Sequence, residues 1–69
     1  MQYSTRMLRQ LRFTIGNNIH SLRVKQKMPL HKLAKLSGVP ELLIDHYELG
    51  KNRISLDELF KISCALEVE

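Results

Sequence analysis

The chain has 69 residues, a formal net charge of +4 and one cysteine, Cys64. A single small domain follows, burying only about 60% of its unfolded surface and stable by roughly 3–5 kcal/mol. An internal disulfide is excluded, no Cys/His cluster has zinc-ligand spacing, and no apolar run is long enough to span a membrane.

Low aromatic content and no long β-branched alternation predict an all-α fold. The first element is an arginine-rich amphipathic stretch. Leu8, Leu11, Ile15, Ile19 and Leu22 recur at spacings of three and four, one apolar stripe of a helix. Arg6, Arg9 and Arg12 recur every three residues on another side. Gly16 interrupts, costing about 1 kcal/mol against Ala in a helix interior. Either one helix spans roughly 4–25, or an arm ends near Phe13 and Thr14 caps a new helix. A helix in both parts with a break near Phe13–Gly16 is expected, dividing the chain into a helical extension over 1–13 and a domain over 14–69. The extension's arginines suit DNA backbone, and its stripe suits a second subunit.

Lys25, Gln26 and Lys27 form a polar turn. Residues 30–49 then read as two short helices joined by a tight turn, a helix-turn-helix. Leu30, Leu33, Ala34 and Ser37 make one face of the first helix. Gly38 supplies the left-handed turn residue, and Pro40 suits the start of the next helix. That helix should run from Pro40 or Glu41 to Glu48. Ile44 and Tyr47 face inward, so Glu41, Leu42, Asp45 and His46 face outward. Gly50 is the expected C-cap, followed by a polar loop of Lys51, Asn52 and Arg53. Ser55 and Glu58 form a capping box for a last helix. Leu56, Leu59, Phe60, Ile62, Ser63 and Leu66 are expected to pack inward, with Cys64 a small residue without a redox task.

Charge is divided along the chain. The first forty residues carry eight Lys/Arg and no Asp or Glu, whereas the remainder carries three Lys/Arg and seven Asp/Glu. One polyanion-facing surface and one acidic surface are implied.

Residues 30–49 resemble the helix-turn-helix of the lambda-repressor-like (Cro/XRE-type) family of bacterial and phage DNA-binding domains. Upstream, IGNNIHSLRVKQKM resembles the family's first helix. Downstream, YELGKNRISLDELFKISCALEV resembles its Glu-x-Gly-Lys and Ser-Leu-x-x-Leu-x-x-Ile run. The resemblance covers 15–68 and implies a compact four- to five-helix bundle, here with the helical extension in front. It implies that Glu41, Leu42, Asp45 and His46 meet base edges in the major groove. It further implies backbone contacts from Lys51, Asn52 and Arg53, with His31 and Lys32 beside a phosphate at the second helix. An ion pair of Arg23 with Glu48 is implied as the structural tie of the recognition helix. Two departures stand out. Pro29 and Leu30 occupy positions where the family commonly has a capping Ser or Thr and a phosphate-binding Gln. The outward face of 41–48 has two carboxylates and no Arg, Lys, Gln or Asn. Family members commonly add one more helix, so the chain is either a fragment or uses its extension instead.

The expected function is therefore sequence-specific binding of double-stranded DNA by a repressor-type transcription regulator, a cytoplasmic homodimer without a cofactor. Two rivals share the fold. One is a protein-interaction module that lost DNA readout, docking through the recognition-helix face or the extension. The other is the DNA-binding antitoxin of a toxin pair. Enzymatic chemistry has no support, because His20, His31 and His46 are scattered one per helix without a partner cluster.

Overall fold

The computed structural model of the chain describes residues 4–67. Among these it has four helices: α1 (Thr5–Lys25), α2 (Leu30–Ser37), α3 (Glu41–Glu48) and α4 (Leu56–Leu66). Met1 to Tyr3 of the expected extension and Val68 and Glu69 at the other end lie outside the described residues.

α1 is continuous, the one-helix alternative without the break near Phe13–Gly16, and the 13/14 boundary falls inside it. Ser4 starts it, its Oγ accepting from the Met7 N–H at 3.1 Å. Gly16 costs helix propensity but fills a steric need. A Cβ there would lie 1.9 Å from the Tyr47 carbonyl oxygen, so the missing side chain is what lets α3 cross α1 at backbone contact.

The end of α1 is a Schellman motif. Met28 N–H donates to the Arg23 carbonyl at 3.0 Å, and Lys27 N–H to that of Val24 at 2.9 Å. Lys27 takes the left-handed conformation at φ 55°, where glycine is usual. α3 ends the same way. Lys51 N–H reaches His46 and Gly50 N–H reaches Tyr47, with Gly50 at φ 72°. The turn between α2 and α3 has Gly38 at φ 77° and is tied by Ser37, whose Oγ accepts from the Val39 N–H at 3.2 Å. Pro40 is extended and stands just outside α3, not as its first residue.

α1 packs on α3, and α2 packs on α3 and α4. Leu33, Ile44 and Ile62 are fully buried, one from each short helix. Ile19, Met28, Val39, Tyr47, Ala65 and Leu66 complete the core. One expectation about packing is corrected. Leu56 and Phe60 are 83% and 70% exposed, and Ser63 is exposed. The inward face of α4 keeps the expected Leu59, Ile62 and Leu66 and adds Glu58 and Ala65, which leaves Leu56 and Phe60 on the far side. Along α1, only Ile15 and Ile19 of the stripe are packed, and Leu8, Leu11 and Leu22 remain exposed. Inward Glu58 has a reason. Its carboxylate accepts from the Tyr47 hydroxyl and from Ser55 Oγ at 3.2 Å, while Ser55 Oγ accepts from the Glu58 N–H.

Candidate nucleic-acid interface

α3 is short, and its isolated stability would be negligible. Its position is set by two anchors. In mid-helix Ile44 is fully buried in the core where α2 packs on α3. At the C-terminal end Glu48 meets α1. Arg23 Nε donates to Glu48 Oε2 at 2.6 Å and its Nη2 donates to Oε1 at 3.0 Å, a two-pronged pair of the strong, geometrically specific kind. Arg23 also donates to the Met28 carbonyl at 2.9 Å, so one side chain binds the end of α1 to the end of α3. The Glu48 side chain is only 5% exposed. Burial pushes its carboxyl up, but the hydrogen bonds and charges of Arg23 and His20 outweigh this and hold it below the usual carboxylate range.

His20 is the member that sequence reading missed. Its Nδ1 lies 2.9 Å from Glu48 Oε1. A carboxylate only accepts, so this hydrogen bond forms with the proton on Nδ1, in which case Arg23 Nη2, 3.3 Å from the same nitrogen, bonds Glu48 and not the imidazole. The signal was present in the sequence, since His20 lies three residues before Arg23 and hence on the same helix face.

With α3 fixed this way, Glu41 and Leu42 stand fully on the surface, Leu42 being 68% exposed. Asp45 and His46 are half-buried. Asp45 leans towards α1, where its charge adds to that of Glu48 in favouring the Arg23 cation. Glu41 and Leu42 therefore form the exposed side of α3, whereas Asp45 lines a cleft against α1 with His20 and Arg23.

The basic residues lie on either side. Lys51, Asn52 and Arg53 are exposed on the loop after α3, and His31 and Lys32 are exposed in the first turn of α2. α2 begins after Pro29 with no side-chain cap, and although the Lys32 N–H donates to the Pro29 carbonyl, those of Leu30 and His31 have no acceptor among the described residues, a favourable place for an anion. Among the described residues, both ion pairs end on Glu48. The exposed cations of α2 and the loop thus have no carboxylate partner there.

A family model described as helix-turn-helix matches residues 19–69. The chain belongs to the lambda-repressor-like, Cro/C1-type helix-turn-helix family. No match was found among curated proteins or among solved structures. The family is one of DNA-binding domains in transcription regulation and is not typically enzymatic. Among the described residues, no helix of this member is long and apolar enough to cross a membrane.

Proposed function

We propose that this helix-turn-helix protein is a sequence-specific, repressor-type regulator that lays α3 in the major groove of double-stranded DNA. The observation that carries the reading is the clamped end of α3. Glu48 is held by Arg23 and His20 at 2.6 to 3.0 Å, leaving Glu41 and Leu42 on a rigidly held surface beside exposed cations. In this reading Glu41 and Asp45 accept from cytosine N4, Leu42 packs on a thymine methyl, and His46 donates to guanine. Lys51, Asn52 and Arg53 from one side, and His31 and Lys32 from the other, meet phosphates and set the register.

The protein acts in the cytoplasm as a homodimer on a symmetric site, with half-sites about one helical turn apart. Support comes from exposed apolar surface: Leu56 and Phe60 on α4, and a cleft lined by Ile15, Ile19, Leu22, Leu59 and Leu66. α1 forms one wall of this cleft and α4 the other. A two-fold axis would set α1 of each copy against α4 of the other.

A second reading rests on Leu42. At 68% exposure, between carboxylates that phosphate repels, it also suits a docking face for a protein. Substitution separates the two. Under DNA readout, Lys51→Ala and Arg53→Ala weaken binding to all sequences and flatten its salt dependence, whereas Leu42→Ala and His46→Ala change sequence preference. Equal loss on every duplex from all four changes contradicts the assigned roles.

A further inference from the structure

The first turns of α1 run beyond the point where the helix meets α3. Arg9, Arg12, Phe13 and Gly16 are spaced i, i+3, i+4, i+7, so they occupy one helix face. Two contacts fix where that face looks. Gly16 receives the Tyr47 carbonyl, and Phe13 sits on Gly50, where an added Cβ would lie 3.1 Å from Phe13 Cα. Continued outward, the same face brings both arginines over the loop after α3. Arg9 shares a cleft with Leu49 and Gly50, and Arg12 shares a second cleft with Arg53 and Ile54. Four cations, Arg9, Arg12, Lys51 and Arg53, thus gather around one short loop.

Nothing negative offsets them. α1 and residues 50–54 contain no Asp or Glu, and Glu48 is already occupied by Arg23 and His20. Among the described residues, none of the four cations has an ion-pair partner. Arg12 is the clearest case, because its Nε is buried without any hydrogen-bond acceptor. A buried donor left unmade ordinarily costs about 1–3 kcal/mol. The backbone N–H groups of Asn52, Arg53 and Ile54 likewise have no backbone acceptor among the described residues. Unpaired guanidinium forks beside free N–H groups match the oxygens of a phosphodiester, which an arginine can take in two parallel bonds.

We propose that Arg9 and Arg12 are DNA-backbone contacts, forming with Lys51 and Arg53 one phosphate clamp that spans the start of α1 and the loop after α3. The proposal rests on the DNA-binding reading and deepens it. The extension becomes part of the DNA-binding surface, placed there by Gly16 and Phe13.

The test is equilibrium binding of the full chain to a mixed-sequence duplex about three helical turns long. Affinity is followed from about 50 to 200 mM salt for the wild type, the double variant Arg9→Gln/Arg12→Gln, and Arg9→Lys/Arg12→Lys. Each neutralised phosphate contributes about 0.9 to the slope of log K against log salt, so the Gln variant should lose about 2 from that slope and bind about 10- to 100-fold more weakly at low salt. The Lys variant should restore the slope, and all three proteins should melt within a few degrees of one another. An unchanged slope in the Gln variant, with the wild type binding, overturns the clamp and leaves the DNA reading standing. Equal loss in the Gln and Lys variants traces to packing and also overturns it. A wild type that binds no duplex at any salt overturns the DNA reading and the clamp together.

Discussion

Gly16 of α1 and Tyr47 of α3 meet backbone to backbone: a Cβ on residue 16 would stand 1.9 Å from the Tyr47 carbonyl oxygen. The contact sets how closely the recognition helix approaches the helix that carries Arg23 and His20. In an open helix, Gly→Ala stabilises by about 1 kcal/mol. Here the sign reverses. Gly16→Ala must push α3 away or bend α1, and overpacking of this kind typically costs about 1–3 kcal/mol or more. For a domain of this size a loss of 2–3 kcal/mol lowers the melting temperature by roughly 10–20 °C. Calorimetry or circular dichroism reads it directly, and a melting temperature above that of the wild type would show that the crossing is looser than described.

Arg23→Met should unfold the domain or nearly so. It leaves Glu48, whose side chain is 5% exposed, without its two-pronged partner, and breaking a buried pair on one side costs about 3–5 kcal/mol. That is close to the whole stability expected of so small a chain, roughly 3–5 kcal/mol. Adding Glu48→Leu should recover part of the loss, since replacing both partners removes the uncompensated charge. Thermal melts of the single and double variants decide it. A single variant melting within a few degrees of wild type contradicts the assigned role.

The pH dependence has two limbs of opposite origin. Glu48 is held below the usual carboxylate range despite its burial, because Arg23 and His20 donate to it. A depressed folded value contributes stability that is present above the unfolded pKa and is lost as pH falls through the folded one. Tyr47 is pushed up to about 12 from 10.0, chiefly by burial and then by its hydrogen bond to Glu58. A raised value contributes stability that is complete below pH 10 and is lost as pH rises from there towards 12. Melting temperature against pH should therefore show a plateau with a fall at each end. Glu48→Gln should flatten the acid limb, and Tyr47→Phe the alkaline one. Limbs unchanged in both variants would assign the titrations elsewhere.

Lys27→Gly should stabilise. Lys27 is exposed, and its left-handed φ of 55° in the Schellman turn of α1 costs a residue with a Cβ roughly 1–2 kcal/mol that glycine avoids. Greater freedom of glycine in the unfolded chain returns part of this, so the net gain should be about 0.5–1 kcal/mol, a few degrees in melting temperature. No rise would mean that the Lys27 side chain makes up the strain through packing.

How far the sequence carried this account depended on whether a residue's role was local. Leu33, Ser37, Gly38, Ile44 and Tyr47 were legible because helical spacing and turn chemistry fix their directions over a few residues. Leu56 and Phe60 were misplaced because an apolar i, i+4 pair marks a face without saying which side meets the core. Glu58 settles that, since its carboxylate serves Tyr47 from another helix, and no local pattern announces such a partner. Gly16 is similar. Its helix penalty was visible, whereas its cause, the Tyr47 carbonyl, lies thirty-one positions away in the chain. His20 could have been paired with Arg23 from its spacing, but its tie to Glu48 appears only once α1 and α3 are docked.

Selection of bound duplexes from a random DNA pool, followed by the affinity of the winner against scrambled DNA at two salt concentrations, decides whether α3 reads sequence. A palindromic winner bound at least ~10³-fold tighter than scrambled DNA is the expected result. Weak binding that vanishes with salt and enriches no sequence would contradict it, leaving only non-specific electrostatics and an α3 face, with Leu42 at its centre, better suited to a protein partner.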